Sequence, residues 1–170
     1  MIYFLNRSNE NFVTIVLTLS SIEKQRTESK QLIIYKMEMN QIKTENKLPA
    51  KFYEVIQHEG VVSLVSWGEN EPHVVNTWNS FLVVTNDEHI LVPAYGMRKT
   101  EKNVQVNKSV KLTLGSKKVL GNKDYPGTGY LIDGSAEYLE SGDTFDMMKD
   151  KYSFLTRVID ITVSTIKQTI

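Results

Sequence analysis

Short apolar segments separated by tight turns run through residues 60–93, and they restrict the fold more than any other feature. Residues 60–67 and 73–84 are strand-like, and the turn at 68–72 contains both Gly and Pro. A second short turn leads into the apolar segment 89–93. Because connections this short join neighbouring antiparallel strands, the pattern predicts an antiparallel meander.

The rest of the chain adds three strand-like segments and up to three helices. The strand-like segments are residues 109–114, which alternate strictly, 128–138, in which Gly134 predicts a bulge, and 157–166. The first predicted helix follows Pro49, carries Phe52, Val55 and Ile56 on one face and ends at Gly60. The second covers 101–106. The third follows the possible caps Ser141 and Asp143, and its apolar stripe consists of Phe145, Met148, Tyr152 and Leu155. The sequence therefore predicts a mainly β fold, a six-stranded antiparallel barrel with two or three peripheral helices.

Residues 1–46 differ in composition from the rest and contain no Gly and no Pro. Their apolar run, residues 12–19, is too short to span a bilayer. The run also lacks the basic start and the small-residue cleavage site of a signal peptide. We therefore predict a poorly ordered extension over residues 1–46, a folded domain over 47–170, no membrane segment and a cytoplasmic location.

Charge and metal-ligand residues indicate which kind of ligand the chain can hold. The net charge is zero, but residues 98–123 carry eight Lys and Arg residues against one acidic residue. A basic block of this kind between acidic segments favours a local anionic ligand. With no cysteine and three widely spaced histidines, the sequence predicts no metal site.

Residues 93–104 have the pattern of a phosphate-binding turn. The segment is interpreted as a strand end, a glycine-containing loop and the start of a short helix, with Thr100 as its N-cap and Glu101 in its first turn. Lys99 would stand just before the helix. Free backbone N–H groups, a positive helix end, a lysine and a hydroxyl would then converge on one anion.

A second polar group lies within the strand-like segment 73–84. An Asn buried in mid-strand is costly unless its amide is hydrogen-bonded, so Asn76 is a candidate site residue together with Thr77 and Trp78. If segments 73–84 and 89–93 pair, these residues and the loop 96–100 lie at one end of the barrel.

In their order along the chain, five motifs resemble the small FMN-binding proteins of anaerobic bacteria, which belong to the pyridoxamine-phosphate-oxidase-like split-barrel group. The motifs are Pro72-His-Val-Val-Asn-Thr-Trp-Asn-Ser80, Val92-Pro93, Gly96-Met-Arg-Lys-Thr-Glu-Lys-Asn-Val104, Thr113-Leu-Gly-Ser-Lys-Lys118 and Pro126-Gly-Thr-Gly129. The resemblance covers about residues 47–170. It implies a homodimer of split β-barrels with one FMN per protomer in the dimer cleft.

The resemblance also implies which residues contact FMN. Lys99 and Thr100 would hold the phosphate, and Gly96 would lie beneath the ribityl chain. The remaining implied contacts are Asn76, Thr77 and Trp78 beside the flavin ring, Leu91, Val92 and Pro93 opposite them, and Ser116 and Lys117 as further candidates. Aromatic residues edge the flavin in such proteins, for which Trp78, Phe81 and Phe154 are the candidates here.

Three functions are open at this stage. An electron carrier or flavin-dependent oxidoreductase needs no catalytic acid, base or nucleophile, and a redox protein or NAD(P)H would supply its electrons. A pyridoxamine phosphate oxidase would need a second anion site, yet Arg98 and Arg157, the two arginines after residue 90, lie in no dense cluster. A nucleic-acid-binding barrel would use the basic block 98–123, but that block contains no aromatic residue on which bases could stack. We therefore expect no nucleic-acid partner.

Overall fold

The computed structural model describes residues 23–34, 48–69 and 71–169. Within the N-terminal part, residues 23–34 form an exposed helix, α1, in which the Thr27 hydroxyl donates to the carbonyl of Glu23 at 2.8 Å. The predicted disorder of residues 1–46 falls largely outside the described residues and stays a prediction. In the described ranges, no helix has the length and apolar character needed to cross a membrane.

The described residues from 48 onward form a compact unit that consists mainly of β-strands. Its helices are α2 (Ala50–Ile56), α3 (Arg98–Val106) and α4 (Asp143–Lys151), and 3-10 turns occupy Asn79–Phe81 and Asn122–Asp124. Its strands are β1 (Val61–Ser66), β2 (His73–Trp78), β3 (Val83–Val84), β4 (Ile90–Ala94), β5 (Ser109–Leu120), β6 (Pro126–Leu139) and β7 (Arg157–Gln168). The strands form one sheet in the order β2-β1-β5-β6-β7-β4-β3, and every pairing is antiparallel.

The described residues contain seven strands, not the predicted six, because segment 73–84 is not one strand. The turn at Asn79–Phe81 divides it into β2 and β3, which lie at opposite ends of the sheet order. The N–H of Asn79 donates to the Gly60 carbonyl at 2.9 Å, and the N–H of Leu82 donates to the Asn79 carbonyl at 3.0 Å. The first bond continues the β1–β2 pairing by one residue, and the second closes the turn that redirects the chain. The predicted pairing of 73–84 with 89–93 is consequently wrong except for Val83 and Val84.

Several local predictions are confirmed. Helix α2 begins after Pro49, and its Phe52 and Val55 are fully buried. The β6–β7 register shifts between Asp133 and Gly134, as the glycine predicted. A Cβ at Gly134 would lie 2.6 Å from the carbonyl oxygen of Thr162, so no larger residue fits the bulge without movement.

The last predicted helix is shorter than its apolar stripe indicated. Helix α4 ends at Lys151, and it starts after Gly142, which has φ 95°, without a side-chain cap from Ser141 or Asp143. Met148 and Leu155 nevertheless meet in a small buried cluster with Leu91 and Val158. The larger core lies between α2 and the sheet and includes Phe52, Leu64, Leu112, Tyr130, Ile132 and Ile161.

Candidate functional site

The turn before α3 presents unpaired backbone donors. Gly96 (φ 78°) and Met97 (φ 47°) both have left-handed backbone conformations. The first helical bond joins the N–H of Glu101 to the carbonyl of Met97 at 3.0 Å. The N–H groups of residues 98–100 therefore precede the helical ladder, at the positive end of the helix dipole.

The helix starts three residues earlier than the sequence predicted, at Arg98 instead of residue 101. Thr100 is therefore not the N-cap, and Lys99 lies within the first turn, not before it. The cap position belongs to Met97, which makes no side-chain cap bond. The sequence pattern was misleading because Thr100 has the residue type of a cap, whereas its side chain is fully buried in the first turn.

Thr100 carries a hydroxyl that the protein itself leaves unsatisfied. Its side chain is 0% exposed, and its Oγ1 atom has no hydrogen-bond partner. A buried hydroxyl without a partner costs about 1–3 kcal/mol. Such a group in the first turn of a helix fits a ligand that supplies the missing acceptor.

A buried arginine holds this turn from the protein interior. Arg157 is 2% exposed, and its guanidinium donates to the carbonyl of Gly96 and to Oε2 of Glu101, both at 2.5 Å. The hydroxyl of Tyr138 donates to the carbonyl of Met97 at 3.4 Å, and the Arg157 guanidinium lies 5.6 Å from the Tyr138 ring centre. Burial, with the nearby Glu101 carboxylate, raises the pKa of Tyr138 well above its usual range. The sequence analysis did not predict this network. The one feature that could have indicated it is an arginine at the first position of β7, followed by two apolar residues.

Lys99 is exposed beside an open cleft of about 710 Å³. The cleft is lined by Gly68, Glu69, Glu71, Lys99, Lys102, Asn103 and Val106. Asn103 fixes α3 against the end of β1, because its side-chain amide donates to the carbonyl and the hydroxyl of Ser66 at 3.2 Å each. The lysine thus stands at the Ser66 end of the β1–β2 pair.

The Asn76-Thr77-Trp78 segment lies along β2 with mixed exposure. Asn76 is exposed and accepts a hydrogen bond from the Ser63 hydroxyl at 2.9 Å, so the prediction of a buried Asn76 is wrong. Thr77 is buried, whereas Trp78 is 47% exposed. Because side chains alternate along a strand, Asn76 and Trp78 share the outer face.

The buried asparagine is instead Asn79. Its amide nitrogen donates to three carbonyls, those of Val55 (3.3 Å), His58 (2.9 Å) and Gly115 (3.2 Å). A Cβ at Gly60 would lie 2.5 Å from the Gly115 carbonyl oxygen and 2.8 Å from the Asn79 amide nitrogen. These hydrogen bonds connect α2, the β2–β3 turn and β5, and they fix the point directly after Trp78 at which strand β2 ends.

Lys99 and Trp78 mark two ends of an extended surface. His73 pairs with Ser66, beside α3, and Trp78 pairs with Val61. The five residue steps from His73 to Trp78 span about 17 Å of strand. The structure therefore separates the proposed anion end from the aromatic end by roughly the length of β2.

The β4 candidates contribute differently from the others. The side chains of Leu91, Val92 and Pro93 are all buried, Val92 in the larger core and Leu91 in the smaller one, so only their backbone could meet a ligand. Among the described residues, β3 pairs only with Ile90 and Leu91, which leaves the following part of β4 without a strand on that side. Pro93 suits this edge because it has no N–H to donate.

Ser116 and Lys117 lie at the Trp78 end. They line a second cleft, of about 450 Å³, together with Val61, the partner of Trp78 in the β1–β2 pairing. Gly115 and Gly129 face each other in the β5–β6 ladder and give this cleft a floor without side chains. The structure thus groups Ser116 and Lys117 with the aromatic end and not with Lys99.

An aromatic cluster follows directly after Trp78. The rings of Phe81, Tyr152 and Phe154 lie 5.4–6.0 Å apart, and the Tyr152 hydroxyl donates to the Ser80 carbonyl at 2.9 Å. Phe154 is 44% exposed. The structure therefore brings together Phe81 and Phe154, and it adds Tyr152, which the sequence had assigned to a helix.

Residues 48–170 match the family model described as pyridoxamine 5'-phosphate oxidase. An FMN-binding protein of Nitratidesulfovibrio vulgaris is 45% identical over 123 residues, covering 72% of this chain and 99% of that protein. An FMN-binding protein of Syntrophomonas wolfei has a similar structure, with a TM-score of 0.57, 18% identity, and coverage of 82% and 97% of the two chains. HupZ of Group A Streptococcus gives a TM-score of 0.60 at 14% identity, covering 72% of this chain and 94% of HupZ.

The two likenesses of low identity show the fold alone, and they agree with the predicted split barrel. The family match and the relative at 45% identity go further, because together they cover nearly all of the unit from residue 48 onward. The resemblance inferred from the sequence motifs is confirmed. The chain belongs to the pyridoxamine 5'-phosphate oxidase family.

Proposed function

We propose that this chain is an FMN-binding flavoprotein that transfers electrons, with the FMN phosphate held at the first turn of α3. The observation that carries the proposal is the fully buried, unpartnered hydroxyl of Thr100, which lies among free backbone N–H groups. The 45% identical relative from Nitratidesulfovibrio vulgaris is named an FMN-binding protein.

The donors at this turn suit a phosphate in number and kind. Residues 98–100 offer three N–H groups, Lys99 an ammonium and Thr100 a hydroxyl. Hydrogen bonds from such donors to a charged acceptor are about twice as strong as neutral ones. The helix dipole adds a favourable field within the same turn.

The other implied contacts extend from this turn toward Trp78. Gly96 would lie beneath the ribityl chain, and Asn76, Thr77 and Trp78 would line the ring along β2. The backbone of Leu91, Val92 and Pro93 would face the ring, and Ser116 and Lys117 would close its far side. Bound FMN supplies the redox chemistry, while the protein binds it, orients it and limits its contact with water.

We further propose that two copies of the chain enclose the flavin. Val61, Val74 and Trp78 are each about half exposed on the β1–β2 hairpin, an apolar surface that a second copy would cover. Light scattering on a size-exclusion column measures this directly. A monomeric mass at micromolar concentration would contradict the dimer but leave FMN binding untouched.

The arginines favour a carrier over an enzyme that binds a second phosphate. The Arg157 guanidinium is buried against Gly96 and Glu101, and Arg98 is exposed beside Glu101 at 3.4 Å. Neither is positioned with the other as a substrate-phosphate clamp. We therefore propose that electrons arrive from a redox protein or NAD(P)H in the cytoplasm. Rapid turnover of pyridoxamine phosphate would favour the oxidase instead.

The experiment is a fluorescence titration of apoprotein with FMN. Lys99→Ala should weaken binding by about 1.5–3 kcal/mol, the range for a hydrogen bond to a charged group. Lys108→Ala is the matched control, because Lys108 is also exposed but lies beyond the far end of α3. An equal effect of both substitutions would show general electrostatics, and wild-type protein that binds no FMN would end the proposal.

A further inference from the structure

Arg157 connects distant parts of the chain at the turn before α3. It is the first residue of β7, and its two hydrogen-bond partners, Glu101 and Gly96, are 56 and 61 residues earlier in the sequence. The planar guanidinium can hold both at once because its donors diverge in a fixed fork. Arg157 thus anchors the turn at its start, through Gly96, and in its first helical turn, through Glu101.

The ion pair also changes the charge that an anion would meet. Glu101 stands in the first turn of α3, beside the N–H groups of residues 98–100. An unpaired carboxylate there would repel a phosphate. Arg157 neutralises this carboxylate from the buried side, while Arg98 approaches it from the solvent side at 3.4 Å.

We propose that Arg157 is a positioning residue for the phosphate of the flavin nucleotide, acting through the Gly96–Met97 turn and Glu101 without touching the ligand. This inference rests on the proposed function. Tyr138 is the second support of the same device, because its hydroxyl holds the Met97 carbonyl. Without these two side chains, the left-handed turn would lose the bonds that aim the three N–H groups.

The test compares FMN with riboflavin, which has the same ring and ribityl chain but no phosphate. The variants are Arg157→Lys, which keeps the charge without the fork, and the double variant Arg157→Met/Glu101→Gln, which leaves no buried charge unpaired. Each full-length apoprotein is titrated with both flavins by fluorescence, and far-UV circular dichroism checks folding. If both Arg157 variants are unfolded, Tyr138→Phe tests the support of the same turn, because it removes only the hydroxyl that donates to the Met97 carbonyl. It should then weaken the binding of FMN and not that of riboflavin.

The double variant should raise the dissociation constant for FMN about tenfold, which corresponds to the loss of one charge-assisted hydrogen bond from the misaligned N–H groups to the phosphate. The dissociation constant for riboflavin should stay unchanged. Arg157→Lys should keep more of the preference for FMN over riboflavin than the double variant does. An equal rise for both flavins, or an unchanged FMN constant, would overturn the role of Arg157 while leaving the proposed function intact. Wild-type protein that binds riboflavin as tightly as FMN would refute the phosphate site and this inference together.

Discussion

Replacing Thr100 by Val should move stability and binding in opposite directions. Val has nearly the shape of Thr and a similar helix propensity, so the substitution exchanges the buried hydroxyl for a methyl group. The hydroxyl has no partner in the protein, and removing its burial cost should raise the free energy of unfolding of the apoprotein by about 1 kcal/mol. The same change removes a donor to the phosphate, worth about 1.5–3 kcal/mol, so the dissociation constant for FMN should rise roughly 10- to 150-fold.

Urea unfolding of the apoprotein and FMN titration measure the two effects separately. Thr128→Val is the matched stability control, because Thr128 is equally buried but its hydroxyl donates to the Val119 carbonyl at 3.1 Å. That control should lose about 1 kcal/mol, because it leaves a carbonyl unpaired. Thr100→Ser keeps the hydroxyl and should retain FMN binding. A Thr100→Val apoprotein destabilised as much as the control, or one that binds FMN normally, would refute the reasoning.

Two further predictions concern stability. Asn79→Ala should lower the free energy of unfolding, measured in urea, by about 2–4 kcal/mol, because three carbonyls lose their shared donor. Gly60→Ala should lower it by about 1–3 kcal/mol, because the added Cβ would clash with the Gly115 carbonyl. A variant as stable as wild type would refute the role of the residue it replaces. The raised pKa of Tyr138 means that its neutral form stabilises the folded state fully below the unfolded pKa of about 10 and that this contribution is lost as pH rises further. Tyr138→Phe should therefore reduce the loss of melting temperature above pH 10, and an unchanged alkaline profile would exclude Tyr138 as its source.

Local patterns predicted those parts of the fold that depend on neighbouring residues. The alternation in 109–114 and the glycine at 134 each act within a few residues, and both appear as predicted in β5 and the β6 bulge. Pro93 and the Gly96–Thr100 motif likewise located the turn before α3. The exact start of that helix was missed because Met97 adopts a left-handed conformation that residue type alone does not favour.

The sequence by itself determined the mainly β class, the family and the segment that should meet an anion, because periodicity, glycine positions and motif order are written along the chain. Only the tertiary structure decided that segment 73–84 breaks at Asn79, that Asn76 is exposed, and that Arg157 supports the turn through Glu101. Each of these depends on partners that lie far away in sequence, such as the Gly115 carbonyl for Asn79. Burial and hydrogen-bond satisfaction are properties of the packed chain, so no local pattern could assign them.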